Sequence, residues 1–291
     1  MKISGFTFVR NAVKFDYPVV EAITSILPLC DEFIVCLGNS DDDTEELIKS
    51  IASEKIKIIP SVWDDSTRAD GRILAIETNK AFDAIAADSD WAFYIQADEV
   101  VHEKYLPVIK LAMEKYVHNS KVDCLVLNYL HFYGNYRYVG NARNWYRREI
   151  RVIKNDKSIR SYRDAQGFRR GVKKLPGKLI NAWIYHYGWV KNPYYQNAKV
   201  QNFINLCQSD GIIKQNEKVS HIELFDYSNV NALKLFDGTH PKVMHSRIAR
   251  MDWDFEFDIS KKRIKFTHRI LDFIERLTGK RFFEFRNYKL V

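Results

Sequence analysis

Residues 91–99 read WAFYIQADE, and this stretch decides the fold. Five apolar side chains in succession, Trp91 to Ile95, do not alternate between core and solvent. They describe a strand buried on both faces, as in a parallel sheet covered by helices. Asp98 and Glu99 then emerge at the mouth of such a sheet. A carboxylate there is suited to Mg²⁺ or Mn²⁺, hard cations that take oxygen ligands and share them with a substrate's phosphates. The plainer role for Asp98 is to cap a helix beginning near Lys104.

Working back toward the start, the same unit recurs. Residues 3–9, 32–37 and 56–59 read as buried strands, the last stopped by Pro60. Between them, Asp16 and Pro18 open a helix carrying Val19, Val20, Ile23, Ile26 and Leu27 at helical spacing. Asp43 is placed to cap a second helix over 44–53, with Glu45 and Glu46 in its first turn. A loop with Trp63, Asp64, Asp65 and Asp70 leads to a third helix over about 72–87. Strand–helix alternation of this kind predicts right-handed βαβ units around a parallel sheet, with the ligand outside the carboxyl ends of the strands. The segments to inspect are therefore Arg10-Asn11, residues 38–43, residues 60–65 and residues 96–99. The chain has neither a Gly-x-Gly-x-x-Gly turn nor a Gly-x-x-x-x-Gly-Lys-Ser/Thr loop, which argues against dinucleotide oxidoreductases and P-loop ATPases.

The ordered segments FVRNA (8–12), GNSDDDTEEL (38–47), DGRILAIETNKAF (70–82) and DWAFYIQADEVVHE (90–103) resemble the nucleotide-sugar-binding half of family 2 glycosyltransferases, which have the GT-A fold. The resemblance covers about residues 1–103. It implies an α/β fold with a mostly parallel central sheet flanked by helices and a mixed α+β C-terminal part. It also implies a nucleoside-diphosphate-sugar donor, a Mn²⁺ or Mg²⁺ cofactor, and an inverting transfer to a hydroxyl of a glycan or lipid-linked acceptor. By the same resemblance Val9 and Asn11 line the base pocket, with Arg10 between them as a further donor-binding residue, Asp42 and Asn79 flank the nucleotide, and Gln96 and Asp98 stand at the metal motif, Asp98 as ligand. Two positions depart from the pattern: Gly38 replaces an acidic residue at the second strand end, and Gln96 stands where Asp is common.

The second half adds candidates. An alcohol is a poor nucleophile until its proton is taken in the transition state, so the transfer needs a base. Asp164, among the polar and aromatic residues 162–168, is the candidate, with a salt bridge to Arg163, Arg169 or Arg170 as its plainer role; Glu149 is the runner-up. Residues 183–189 place His186 in an aromatic strand. The resemblance suggests His186 as a further metal contact and Lys191 at the diphosphate, while a satisfied core histidine is the ordinary alternative. His240 has no assigned role. Residues 104–195 complete the expected core, and 196–291 form a helical cover, amphipathic over 197–209, and a basic tail. The tail helix, 261–280, carries Ile264, Phe266, Ile270, Phe273, Ile274 and Leu277. A helix docked on the domain is the favoured reading, and an in-plane membrane anchor the alternative.

Composition sets the bounds. The 291 residues are 46% apolar and 28% charged, which suits a globular chain of one large or two small domains. No apolar run approaches a membrane span, and the N-terminus, interrupted by Arg10 and Lys14, lacks a signal-peptide shape. Four scattered cysteines read as buried thiols in a reducing compartment. The chain is expected to be cytoplasmic, or at the inner face of a membrane through its tail. The net charge of +8 hides a polarity: residues 1–100 carry 9 Lys/Arg against 19 Asp/Glu, and residues 143–178 carry 13 against 3. The basic stretch is expected to face an acidic or phosphorylated acceptor, or a membrane. Two other readings compete. A nucleotidyltransferase acting on a sugar phosphate would want glycines after the first strand, which Val9-Arg10-Asn11-Ala12 lacks. A nucleic-acid-binding module would use the basic, aromatic middle, but the acidic half would repel a polyanion, so no nucleic-acid partner is expected.

Overall fold

A computed structural model describes residues 1–64, 67, 71–207 and 224–291. Asp65 and Asp70, named above in the loop before the third helix, lie outside the described residues, as do 208 and 209 of the expected cover helix.

The first four strands are β1 (Ile3–Val9), β2 (Glu32–Gly38), β3 (Ile56–Ser61) and β4 (Trp91–Tyr94). They pair in parallel in the order β3-β2-β1-β4. Their side chains divide by the two-residue period of a strand. Ile3 and Val9 of β1, Phe33, Val35 and Leu37 of β2, and Trp91 and Phe93 of β4 face one core, with α1 (Val19–Ile26) and α4 (Leu106–Tyr116) upon it. Phe6, Ile34, Cys36, Ala92 and Tyr94 face the other, against Ala81 and Phe82 of α3 (Arg72–Asp83). Helix α2 (Thr44–Lys49) follows β2. Burial on both faces is the property that the run Trp91 to Ile95 predicted.

Beyond β4 the sheet becomes mixed. β5 (Glu99–Val101), β6 (Cys124–Tyr133), β7 (Asn135–Gly140), β8 (Arg148–Lys154), β9 (Ile159–Tyr162), β10 (Gly167–Arg170) and the 17-residue β11 (Lys173–Trp189) continue it. β8 lies antiparallel between β4 and β6, and β11 runs parallel to β6. The hairpin expected at Tyr133 to Tyr136 turns on Gly134 at φ 76°, where a left-handed residue is needed. The α/β fold with a parallel nucleotide-side sheet, flanking helices and a mixed remainder is as anticipated.

Helix α5 (Pro193–Cys207) follows β11. The rest of the chain returns to the sheet: β12 (Leu233–Leu235) pairs with β7, and β13 (Tyr288–Leu290) pairs with β11. Residues expected to form only a cover and a tail thus supply two strands. Helices α6 (His245–Ala249) and α7 (Phe266–Thr278) complete the chain. Among the described residues no helix is long and apolar enough to cross a membrane. Cys30, Cys36 and Cys124 are buried free thiols.

Candidate active site

A cavity of about 410 Å³ opens where the chain leaves β1 and β4. Its lining includes Val9, Arg10, Asn11, Gln96, Asp98, Asp164 and His186, so seven of the residues singled out from sequence meet in one place. Helix α5 lies along it and contributes Gln196, Lys199, Val200 and Phe203, among others.

One wall is apolar and aromatic. Phe8 and Trp63 lie with ring centroids 6.0 Å apart, and the Arg10 guanidinium sits 5.3 Å from the Trp63 ring centroid. Gly38 makes room for this wall, because a Cβ there would meet the indole Nε1 at 2.4 Å. The departure from an acidic residue at position 38 therefore has a steric cause: Trp63 occupies the space.

Asn11 follows β1 in a left-handed conformation, φ 55°, which Asn tolerates better than most residues. It ties two loops together. Its N–H donates to Ser40 Oγ at 3.0 Å, and its Oδ1 accepts from the Asp41 N–H at 3.0 Å. The Ala12 N–H donates to Thr44 Oγ1 at 2.7 Å, and the Lys14 N–H donates to Asp42 Oδ2 at 2.7 Å. Asp42 Oδ1 also accepts from the Thr44 N–H at 3.1 Å. The Ser-x-Asp-x-Thr turn is thus a clasp between the first two strand ends. Asp42, not Asp43, bonds the start of α2, and it does not line the cavity.

At the fourth strand end Asp98 is only 9% exposed. Its Oδ2 accepts from Lys199 Nζ at 2.8 Å, and its Oδ1 lies 3.7 Å from His186 Nε2. Burial pushes this carboxyl upward, but Lys199, His186 and Lys191 outweigh it and hold the group below the usual carboxylate range. The expected helix cap at Asp98 is absent; the His102 ring accepts the Lys104 N–H instead, at 3.3 Å.

The protonation of His186 follows from its neighbours. His131 Nε2 lies 2.7 Å from the Tyr146 carbonyl oxygen, which can only accept, so Nε2 carries the hydrogen. Burial, with His186 second, lowers the His131 pKa to about 3, so the ring is neutral and its Nδ1 is an acceptor. His186 Nδ1, 3.1 Å away, must donate to it. Burial likewise brings His186 to about 4 despite Asp98. Its Nε2 is left with a lone pair, 3.7 Å from the Asp98 carboxylate. His186 is therefore not simply a satisfied core histidine.

These two donors fit a divalent cation. Among the described residues no three His, Cys, Asp or Glu side chains cluster to hold a metal alone. Mg²⁺ and Mn²⁺ do not require that, since water and substrate phosphates fill the remaining positions. The space between the donors is kept open by Gly188, where a Cβ would lie 2.7 Å from both Asp98 Oδ2 and His186 Nε2. Glu99 is not available as a ligand. Its carboxylate forms a buried two-point ion pair with Arg151, 2.7 Å at each contact, and accepts the Tyr129 hydroxyl at 2.8 Å.

Asp164 stands exposed at the cavity, in the turn joining β9 to β10. Among the described residues it makes no ion pair with Arg163, Arg169 or Arg170; Arg170 pairs with Asp123 and Asp156. Arg163 and Ala165, on either side of it, have φ of 53° and 60°. This turn is held from below: Gln96 Nε2 donates to the Ala165 carbonyl at 3.2 Å, and Arg151 Nη1 to that of Gln166 at 2.8 Å. Gln96 thus braces the turn that presents Asp164.

Besides Asp42, three candidates do not line the cavity. Asn79 bonds the backbone of Ser161, accepting its N–H at 2.8 Å and so fastening α3 to β9. Lys191 is fully buried, and its Nζ donates to the Asp16 carbonyl at 2.8 Å. Glu149 is buried and accepts from Asn287 Nδ2 at 2.8 Å and the Ile150 N–H at 2.9 Å.

Sequence reasoning missed Lys199 and Gln196, and gave Trp63, in the flagged segment 60–65, no role. Gln196 is 1% exposed and, among the described residues, neither of its amide atoms has a hydrogen-bond partner, nor has the Trp63 indole N–H. Buried polar groups without partners are uncommon, and here they line a cavity able to supply some. The only sequence signal was the amphipathic pattern of the cover helix, which does not say which polar residue turns inward.

Part of the basic stretch is compensated within the chain. Arg143, Arg147, Arg151, Arg160 and Arg170 each pair with carboxylates of this same chain. The charge of these five is spent within the molecule, while the other eight cations of the stretch have no ion-pair partner among the described residues.

No protein-family model and no curated protein matches the chain. Among solved structures it is similar to glucosyl-3-phosphoglycerate synthase from Mycobacterium tuberculosis, in a complex with Mn²⁺, uridine diphosphate and phosphoglyceric acid. That match has 17% identity over 45% of this chain and 43% of the synthase, with a TM-score of 0.30. It is also similar to TarS of S. aureus, at 13% identity over 74% of this chain and 42% of TarS, with a TM-score of 0.41. A TarS fragment, 1–349, matches over 74% of this chain and 69% of its own, with a TM-score of 0.39. The chain spans less than half the length of the synthase.

Proposed function

We propose that this chain is a metal-dependent, inverting glycosyltransferase that moves a sugar from a nucleoside-diphosphate donor to a hydroxyl of a glycan or lipid-linked acceptor. The observation that carries the reading is the pairing of the Asp98 carboxylate with the lone pair of His186, across a space that Gly188 leaves open, at the carboxyl end of the sheet. Ligands of open α/β sheets bind at that edge.

Each side chain has a task in this reading. Phe8, Val9, Arg10 and Trp63 offer a flat apolar and cationic wall for a nucleobase. Asp98 and His186 hold Mn²⁺ or Mg²⁺, which when bound neutralises charge on the leaving diphosphate. Lys199, 2.8 Å from Asp98, adds positive charge at the same place. Asp164 takes the proton from the acceptor hydroxyl as its oxygen bonds to the anomeric carbon and the bond to the diphosphate breaks. A single displacement of this kind inverts the anomeric centre. Gln96 and Arg151 keep the base in position through the backbone of its turn.

A thermal-shift screen of nucleoside diphosphates and their sugars, with and without Mn²⁺, tests the reading. Stabilisation that needs both components, and that disappears in Asp98→Asn, is expected. If no nucleotide stabilises the wild-type chain in the presence of metal, the reading is wrong.

A further inference from the structure

Helix α7 is mounted the opposite way round from an ordinary surface helix. Such helices turn an apolar stripe to the core and charged residues to water. Here the acidic residues face the protein: Glu275 accepts from Arg143 Nη1 at 2.6 Å and from Arg147 Nη1 at 2.9 Å, and Asp272 lies 3.3 Å from Arg143 Nη1. The segment after it is clasped by the same two arginines. Arg143 Nη2 donates to the Phe282 carbonyl at 2.7 Å, and Arg147 grips Glu284 at 2.8 and 3.0 Å.

The apolar stripe points away. Phe266, Ile270, Phe273 and Leu277 are 76%, 45%, 62% and 71% exposed, and no side chain of the helix is fully buried. At 3.6 residues per turn these four fall within about 60° of one another on the helix surface. Phe282, Phe283 and Phe285, just beyond the helix, are exposed as well. Several large apolar side chains gathered on one face mark an interaction surface, whereas single ones need no explanation.

The charges beside the stripe name the partner. Arg269 and Arg276 flank it along one side, and Lys262, Lys265 and Lys280 lie at the helix ends. All five are exposed, and among the described residues none has an ion-pair partner. An apolar face bordered by uncompensated cations complements an anionic bilayer surface, where side chains enter the acyl boundary and cations meet lipid phosphates. A helix of 13 residues with a polar inner face lies in the plane of the bilayer and does not cross it.

We infer that α7 and the phenylalanines after it form an in-plane docking surface for an anionic phospholipid membrane, held outward by Arg143 and Arg147. The inference does not rest on the transferase reading, since binding to a membrane needs no turnover.

Sedimentation of the full chain with vesicles tests it. Phosphatidylcholine vesicles are compared with vesicles containing about 30 mol% phosphatidylglycerol. Pelleting with the anionic vesicles, weakened by about 0.5 M NaCl, is expected. The double variant Phe273→Asp/Leu277→Asp should lower the partition coefficient about a hundredfold, because two buried side chains are lost from the bilayer. Arg269→Glu/Arg276→Glu should weaken binding and flatten its salt dependence. Both pairs are exposed, and an unchanged melting temperature confirms that the fold survives. Three results would each overturn the inference: no pelleting with either vesicle, equal pelleting with neutral vesicles, or undiminished binding by the double aspartate variant. So would self-association in sedimentation velocity that the aspartate variant abolishes while vesicles recover nothing, since the face would then belong to a second copy.

Discussion

The sharpest test of the site is the smallest substitution, Gly188→Ala. The added methyl would sit 2.7 Å from Asp98 Oδ2, His186 Nε2 and His186 Cε1, well inside ordinary contact. It intrudes between the two proposed metal donors while keeping the chemical identity of both. Overpacking of this kind costs about 1–3 kcal/mol, so the unliganded protein should melt a few degrees lower. The informative quantity is the increment that ligand adds. With metal present and nucleotide at a hundred times its dissociation constant, wild-type protein gains ~2.7 kcal/mol. At about 2–4 °C per kcal/mol for a chain of this size, that is roughly 5–11 °C. If the methyl costs a hundredfold in affinity, the same nucleotide concentration only equals the new constant, and the gain falls to ~0.4 kcal/mol, or roughly 1–2 °C. Differential scanning fluorimetry with Mn²⁺ and the best nucleotide of the screen reads both numbers. A Gly188→Ala protein whose increment matches wild type would show that the ligand does not sit between Asp98 and His186.

Asp164→Asn should lower kcat by about 10²–10⁴-fold while leaving the metal-dependent nucleotide shift intact, because a base acts on the acceptor and not on the donor; steady-state kinetics beside fluorimetry separate the two. Gln96→Ala releases the Ala165 carbonyl and loosens the turn carrying Asp164. It should reduce kcat roughly ten- to a hundredfold with the donor KM little changed, and a raised KM with normal kcat would instead make Gln96 a donor contact. Glu149 gives a pH test of stability: burial, against the pull of Arg151, raises its pKa from 4.5 to about 7. Between those values the folded chain holds a proton that the unfolded chain has lost, so stability is greatest below the lower value and falls as pH rises to the upper one, by about 3 kcal/mol in all. Glu149→Gln cannot titrate, so its melting temperature should lack that decline; a decline of wild-type size would refute the assignment.

The architecture was legible because it rests on short-range pattern. The run Trp91 to Ile95 had to be buried on both faces, and the structure divides its side chains between two cores. Strand ends then located the site, since Val9 ends β1, Arg10 and Asn11 follow it, and Gln96 and Asp98 come just after β4. What stayed illegible depends on which way a side chain turns. Asp42 and Asn79 sit in segments of the right kind, but their oxygens are engaged by backbone N–H groups of Lys14, Thr44 and Ser161. Neighbouring Asp98 and Glu99 look equivalent as letters. Asp98 closes the turn between β4 and β5 and faces the cavity, while Glu99 opens β5 and turns to the guanidinium of Arg151. Lys199 lies 101 residues from its partner Asp98, and no local pattern announces a contact of that range.

Charge along the chain was the least reliable guide, for a physical reason. A net excess within a segment says nothing about a surface when folding brings in carboxylates from elsewhere. Arg160 finds Asp83, Arg151 finds Glu99, and Arg143 and Arg147 find Glu275 and Glu284. A buried cation without a partner is costly, so a fold that buries arginines recruits acids to them. The charges that matter for recognition are those left after this pairing. In the cavity the cations are Lys199, already on Asp98, and Arg10, laid over an indole. On the outside they include the arginines and lysines beside the apolar stripe of α7, whose own acids are turned inward. The acidic face that anchors the helix is therefore also what leaves its cations uncompensated, so the same ion pairs with Arg143 and Arg147 fix the helix to the domain and set its apolar stripe toward a partner.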